Sequence, residues 1–240
     1  MGLHVAGIWK KFRIPHEHRS PINQILSLVD KHEFSYEEFW ALKDVDFSVE
    51  RGEALGIMGR NGSGKSTLLK VVAGILRPDQ GIVRVNGRMA SMLDLGAAFH
   101  PDLSVKENIT IYGSVLGLTN MELKKRLPAI LQFAELEKFQ DAKLKSLSVG
   151  MQLRLGFSIA IQSDPDIFLV DEVLAVGDLH FQRKCLEWFS EFKSSGGATV
   201  LVSHSTCLVK EFCTKALLLC HGEVAQYGQP QSVIQQYSAE

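Results

Sequence analysis

Two kinds of hydrophobic pattern succeed each other along this chain. Compact apolar runs of strand length occur at Glu53–Met58 (Glu-Ala-Leu-Gly-Ile-Met), Ile167–Val170, Thr199–Val202 and Ala216–Cys220. Leu3–Phe12 and Ala41–Val49 read as earlier strands, the second closing at an Arg51-Gly52 turn, and Ile82–Val85 and Met89–Leu93 add two more. Between them the spacing becomes helical. Leu68, Leu69, Val72 and Ala73 mark a helix over Ser66–Leu76 that stops near Arg77-Pro78. A largely helical region runs from Val105 to about Lys138, and further helices follow Met151, lie near Gln182–Lys193 and close the chain at Gln231–Tyr237. Before that last helix, a turn at His221-Gly222-Glu223 leads into Val224–Gln226. Helices alternating with apolar strands predict an α/β fold with a mostly parallel core sheet.

One stretch breaks the pattern. Residues 13–40 are rich in His, Pro and charge, with an amphipathic piece carrying Ile22, Ile25, Leu26 and Val29. Excursions of this length in compact domains are usually functional or disordered.

The chain's 240 residues fit one large domain, and 26 basic against 27 acidic residues leave no electrostatic footprint for nucleic acid. Cys185, Cys207, Cys213 and Cys220 are scattered without Cys-x-x-Cys spacing and read as reduced packing thiols. The N-terminus lacks the basic flank and apolar core of a secretory signal, and Ala6 stands where a myristoylation motif needs Ser or Thr. No apolar run approaches the roughly 20 residues that span a bilayer.

The chemistry is concentrated at two points. Gly59-Arg60-Asn61-Gly62-Ser63-Gly64-Lys65-Ser66 matches G-x-x-x-x-G-K-[ST] in full, between a strand and a helix. Its glycines let backbone N–H groups close on phosphate oxygens, and the helix N-terminus adds positive potential. Lys65 reaches the β- and γ-phosphates, Ser66 is a Mg²⁺ ligand, and Thr67 is placed for the α-phosphate. The second point is Ile167-Phe168-Leu169-Val170-Asp171-Glu172. There a strand delivers Asp171 to hold Mg²⁺ directly or through water, and Glu172 to orient or deprotonate the attacking water.

In this order the motifs resemble those of the ATP-binding cassette (ABC) ATPases over essentially the whole chain. Leu147-Ser148-Val149-Gly150-Met151 stands in the place of their signature, with Arg154 following. The resemblance implies a P-loop ABC ATPase fold over residues 1–240: a parallel core sheet, an antiparallel β lobe, a helical subdomain at about 100–160 and the insertion at 13–40. It also implies that Ser148 and the Gly150 N–H cap the γ-phosphate of ATP bound to a second copy. His204 becomes the switch histidine on that phosphate, and Asp178 part of the loop that communicates between subunits. An aromatic after the first strand stacks on adenine in this family. Phe12 occupies that place, with Trp40 and Phe39 as alternatives across the insertion.

Two departures narrow the resemblance. The family's glutamine is absent from Met89–His100, where Asp94 and Leu95 lie nearest its place, and the signature carries Val149 and Met151 instead of Gly and Gln. Leu-Asp-Leu-Gly-Ala-Ala-Phe-His-Pro (93–101), Val-Gly-Met-Gln-Leu-Arg-Leu (149–155), and Val-Asp-Glu-Val-Leu-Ala-Val-Gly-Asp (170–178) with Phe181-Gln182-Arg183-Lys184-Cys185 are similar to the polysaccharide-export branch. That branch implies ATP and Mg²⁺ as cofactors, a homodimer of ATPase subunits and an integral membrane permease dimer. It also implies a lipid-linked O-antigen, teichoic acid or capsule substrate. The location it implies is peripheral, on the cytoplasmic face of the inner membrane. Because some members carry a further C-terminal carbohydrate-binding domain, a chain ending at Glu240 is expected to be either the short type or a trimmed one. An importer would keep the missing glutamine and double glycine, and a nucleic-acid-associated ABC ATPase is disfavoured by the neutral charge.

Overall fold

The structure, a computed structural model, describes residues 2–15, 36–93, 99–171 and 178–239. Among these residues the strands form two sheets. Strands β1 (Gly2–Pro15), β2 (Tyr36–Glu50) and β4 (Gln80–Asn86) make an antiparallel lobe in the order β2-β1-β4. The other sheet runs β5-β6-β7-β3-β8-β9, built from β3 (Ala54–Met58), β5 (Met89–Ser91), β6 (Ile167–Asp171), β7 (Ala198–Val202), β8 (Lys215–Cys220) and β9 (Glu223–Gly228). Every pairing in it is parallel except β8 with β9.

The short apolar runs become strands because both faces of the parallel sheet are covered, so each successive side chain finds an apolar partner. Every residue of β3 and β7 is buried. Alternation splits each strand between two cores. Ile167, Leu169, Leu217 and Leu219 point to one that also holds Leu3, Phe47, Leu68 and Leu69. Phe168, Val170, Ala216 and Leu218 point to the other, among Phe157, Phe189 and Val209. Phe168 is fully buried, with ring centroids 5.3 Å from Trp188 and 5.5 Å from Phe189. Emptying such a site costs about 3–5 kcal/mol.

The helices are α1 (Lys65–Val72), α2 (Val105–Val115), α3 (Asn120–Ala134), α4 (Val149–Ile161), α5 (Leu179–Ser194), α6 (Thr206–Phe212) and α7 (Pro230–Ala239). They depart from the sequence pattern at three places, each for a local reason. Helix α1 stops four residues early because Gly74 takes φ +74°, and the Ile75 and Leu76 N–H groups fold back onto the Lys70 carbonyl at 2.9 and 3.0 Å. The long helical region divides into α2 and α3, each opened by its own capping box, Ser104 with Glu107 and Thr119 with Glu122. Helix α6 has no counterpart in the expected elements; Ser205 starts it by accepting the Leu208 N–H at 3.3 Å.

The β1–β2 pairing runs from Gly2↔Glu50 to Pro15↔Tyr36. Strand structure therefore continues into both flanks of the 13–40 stretch, and residues 16–35 lie outside the described residues. Asn108 organises the loop before α2. It is fully buried, accepts the His100 N–H at 2.7 Å, and donates to the carbonyls of His100 and Ser104 at 3.0 and 2.9 Å.

Candidate nucleotide site

At the end of β3 the chain must turn in very little space. Gly59 adopts φ +149°, and a Cβ there would lie 2.2 Å from the Leu219 carbonyl oxygen and 2.6 Å from Ser63 Oγ. Gly64 adopts φ +108°, with 2.6 Å to the Ala41 carbonyl oxygen. Only glycine fits either position. The loop is thus threaded between β2 and β8, and its backbone N–H groups are pre-arranged around the start of α1. The first α-helical bond there is Leu68 N–H to Gly64 O, and no carboxylate stands in the first turn. The N-terminal amides of α1 and their positive potential face an anion site.

Lys65 is 7% exposed, and its Nζ donates to the carbonyls of Gly59 at 2.7 Å and Arg60 at 2.9 Å. Ser63 Oγ is buried without a hydrogen-bond partner among the described residues. An orphaned hydroxyl in a loop that requires glycine at positions 59 and 64 is what a phosphate-gripping loop leaves for its ligand.

A cleft of about 510 Å³ opens over this loop. It joins Asn61, Gly62, Gly64, Lys65, Ser66 and Thr67 to Asp171 and His204, with Phe39, Ala41 and Val202 completing the wall. The convergence follows from strand register. Asp171 ends β6 opposite Val202, and Val202 pairs with Ile57 of β3, so the loop, Asp171 and His204 meet at one edge of the sheet. That is the carboxyl end of the parallel strands, where open α/β sheets bind ligands. Ser66 and Asp171 supply a hydroxyl and a carboxylate to the same cleft, a donor set suited to a hard cation whose other ligands are phosphate and water.

Phe39, not Phe12, forms part of the cleft wall. The two are direct cross-strand partners, so their side chains share a face of the lobe. Trp40 lies on the neighbouring register position, edge-on to Trp9 at 5.3 Å. Glu172, with 173–177 and the 94–98 stretch containing Asp94 and Leu95, lies outside the described residues.

Ser148, Gly150 and Asp178 do not line the cleft. Ser148 is exposed and caps α4, accepting the Met151 N–H at 3.2 Å, and Val149 beside it is 73% exposed. Asp178 caps α5 through the Phe181 N–H at 2.9 Å and binds Arg154 at 2.5 Å. The Phe181 N–H, and after it the Arg154 guanidinium, hold the Asp178 carboxyl below the usual carboxylate range. Sequence reasoning passed over one neighbour of the site. Tyr237, on α7, places its hydroxyl 3.4 Å from His204 Nδ1, and no local motif marks it.

The fold and cleft define a P-loop nucleotide-binding cassette. An ABC transporter family model matches residues 42–175. The ABC transporter protein AbcA of Aeromonas salmonicida is 41% identical over 235 residues, spanning 98% of this chain and 75% of that protein. The O-antigen export system ATP-binding protein RfbB of Myxococcus xanthus is 45% identical over 82% of this chain, which spans 45% of that longer protein. Among solved structures, a dimeric post-hydrolysis ATP-binding cassette bound to ADP and Pi matches with a TM-score of 0.75 over 95% of this chain and 98% of that one, at 22% identity. The chain belongs to the ABC transporter family.

Proposed function

We propose that this chain is the ATP-hydrolysing subunit of an ABC exporter that moves a lipid-linked, O-antigen-type polysaccharide across the bacterial inner membrane. The observation that carries the ATPase reading is the meeting of Lys65, Ser66, Asp171 and His204 in one cleft above a loop that needs glycine at positions 59 and 64. The export reading draws on relatives named for O-antigen export, together with the 93–101 and 149–155 segments.

In this reading Lys65 and the α1 amides hold the phosphates, and Ser66 and Asp171 hold Mg²⁺. Bound there, the ion neutralises charge that develops on the transferred phosphoryl group. Glu172 orients the attacking water and takes its proton, and His204 donates to the terminal phosphate. Ser148 and Gly150 lie outside their own chain's cleft on an exposed helix start, which suits them to close the cleft of a second copy. The cycle of closure and hydrolysis drives a membrane permease dimer, so the chain works peripherally at the cytoplasmic face. No described helix is long and apolar enough to cross a membrane. Residues 13–40 contact the permease or the lipid-pyrophosphate head.

The test is Glu172→Gln in the purified protein and in the complex with its permease. ATP binding is retained, turnover is nearly abolished, a nucleotide-bridged dimer accumulates and surface polysaccharide is lost. Undiminished turnover removes Glu172 from its role. Full polysaccharide export by the inactive protein refutes the assignment of cargo.

A further inference from the structure

We propose that Tyr237, on α7, is a positioning residue for His204. Its hydroxyl donates to Nδ1, which keeps the ring proton on Nε2 and presents an N–H donor to the terminal phosphate. The inference rests on the reading of His204 as the residue that meets that phosphate.

Contacts that fix the backbone on either side of His204 are distinct from the contact of Tyr237 with its ring. Ser203 is buried and its Oγ accepts the Ser205 N–H at 3.0 Å, while Ser205 Oγ caps α6. His204 itself is exposed and lines the rim of the cleft. Tyr237 Oη lies 3.4 Å from Nδ1. The phenol has a fixed base. Helix α7 buries Pro230 and Val233, and Ile234 and Tyr237 pack partly buried against the core that holds Val209 and Cys213.

The chemistry selects a direction for the bond. A neutral imidazole has one donor nitrogen and one acceptor, and the partner of one nitrogen decides the state of the other. Phosphate oxygens accept hydrogen bonds, so the useful ring is the one with its proton on Nε2. A hydroxyl donating to Nδ1 selects that tautomer. Through this contact the C-terminal helix, remote in sequence from every nucleotide motif, becomes part of the terminal-phosphate end of the cleft.

The experiment combines Tyr237→Phe, which keeps the ring and removes only the hydroxyl, with His204→Ala and ¹⁵N NMR of the His204 imidazole. The wild-type ring is expected in the Nε2–H form, and Tyr237→Phe gives a mixture of tautomers. Its kcat for ATP falls by roughly 3- to 10-fold, the scale of one neutral hydrogen bond, while KM changes by less than about twofold because the loop amides and Lys65 carry most of the ground-state grip on the phosphates. In the His204→Ala background the tyrosine substitution has no further effect. A wild-type Nδ1–H tautomer, or a Tyr237→Phe protein with unaltered kcat and tautomer, overturns the proposal. Wild-type turnover by His204→Ala instead removes the underlying reading of His204.

Discussion

Arg154 joins two carboxylates from different helices: its Nη2 lies 2.5 Å from Asp178 Oδ2, and its Nη1 lies 3.1 Å from Glu135 Oε2. The guanidinium also lies over the Phe181 ring, 5.2 Å from its centroid. Helix α4, which Ser148 caps, is thereby latched to the start of α5 and the end of α3. If Ser148 closes over a partner's nucleotide, Asp178 at the start of α5 moves with it.

Replacing Arg154 with Lys keeps the charge but cannot reach both carboxylates as a planar fork. Arg154→Lys is expected to bind ATP normally and to lose turnover by on the order of 10-fold or more, because Ser148 is misplaced at closure. Nucleotide affinity and steady-state hydrolysis measured side by side check this. Unchanged turnover means that the latch has no part in closure.

The Asp178 carboxyl is held below its usual range, so its contribution to stability is complete above the ordinary Asp value of about 3.9 and is lost as pH falls through the lower folded value. Asp178→Asn keeps a helix cap but removes the charge. Acid titration followed by circular dichroism is expected to show the wild type more stable than this variant at neutral pH, with the difference vanishing in strong acid.

The two glycine classes in the phosphate loop are expected to behave differently. Gly59→Ala brings a Cβ to 2.2 Å from the Leu219 carbonyl and should abolish binding of a fluorescent ATP analogue. Gly62 has φ +81°, but a methyl group there would meet no atom within 4 Å. Gly62→Ala therefore costs only the left-handed backbone penalty of about 1–2 kcal/mol. Thermal denaturation separates this folding cost from any loss of binding.

Phe39 stands on the cleft wall and Phe12 beside it, across the strand pair. Phe39→Ala is expected to weaken ATP binding by about 1–2 kcal/mol, the lower part of the range for base stacking. Phe12→Ala is expected to have a smaller effect. Isothermal titration of both variants ranks them, and a larger loss at Phe12 reverses the assignment.

The parallel strands and the phosphate loop were readable because short apolar runs and an eight-residue motif encode them locally. Helix lengths were less so. Gly74 stops α1 through its backbone conformation, while the apolar spacing at Ile75 and Leu76 beyond it still imitates a helix. The choice between Phe12 and Phe39 depends on a register set across residues 16–35, and no periodicity on either strand fixes that pairing. Tyr237 and Arg154 act through tertiary contacts with segments 33 and 24 positions away, so their roles emerge only once the helices are packed.

The sheet that separates the two cores also determines where the molecule yields. Core strands β3, β6 and β7 are clamped on both faces, so their amides are expected to be the last to exchange with deuterated solvent, at the rate of global unfolding. The α2–α3 segment rests on one of those cores alone and is expected to exchange through smaller openings. The α2–α3 amides are therefore expected to exchange before those of the strand that carries Asp171.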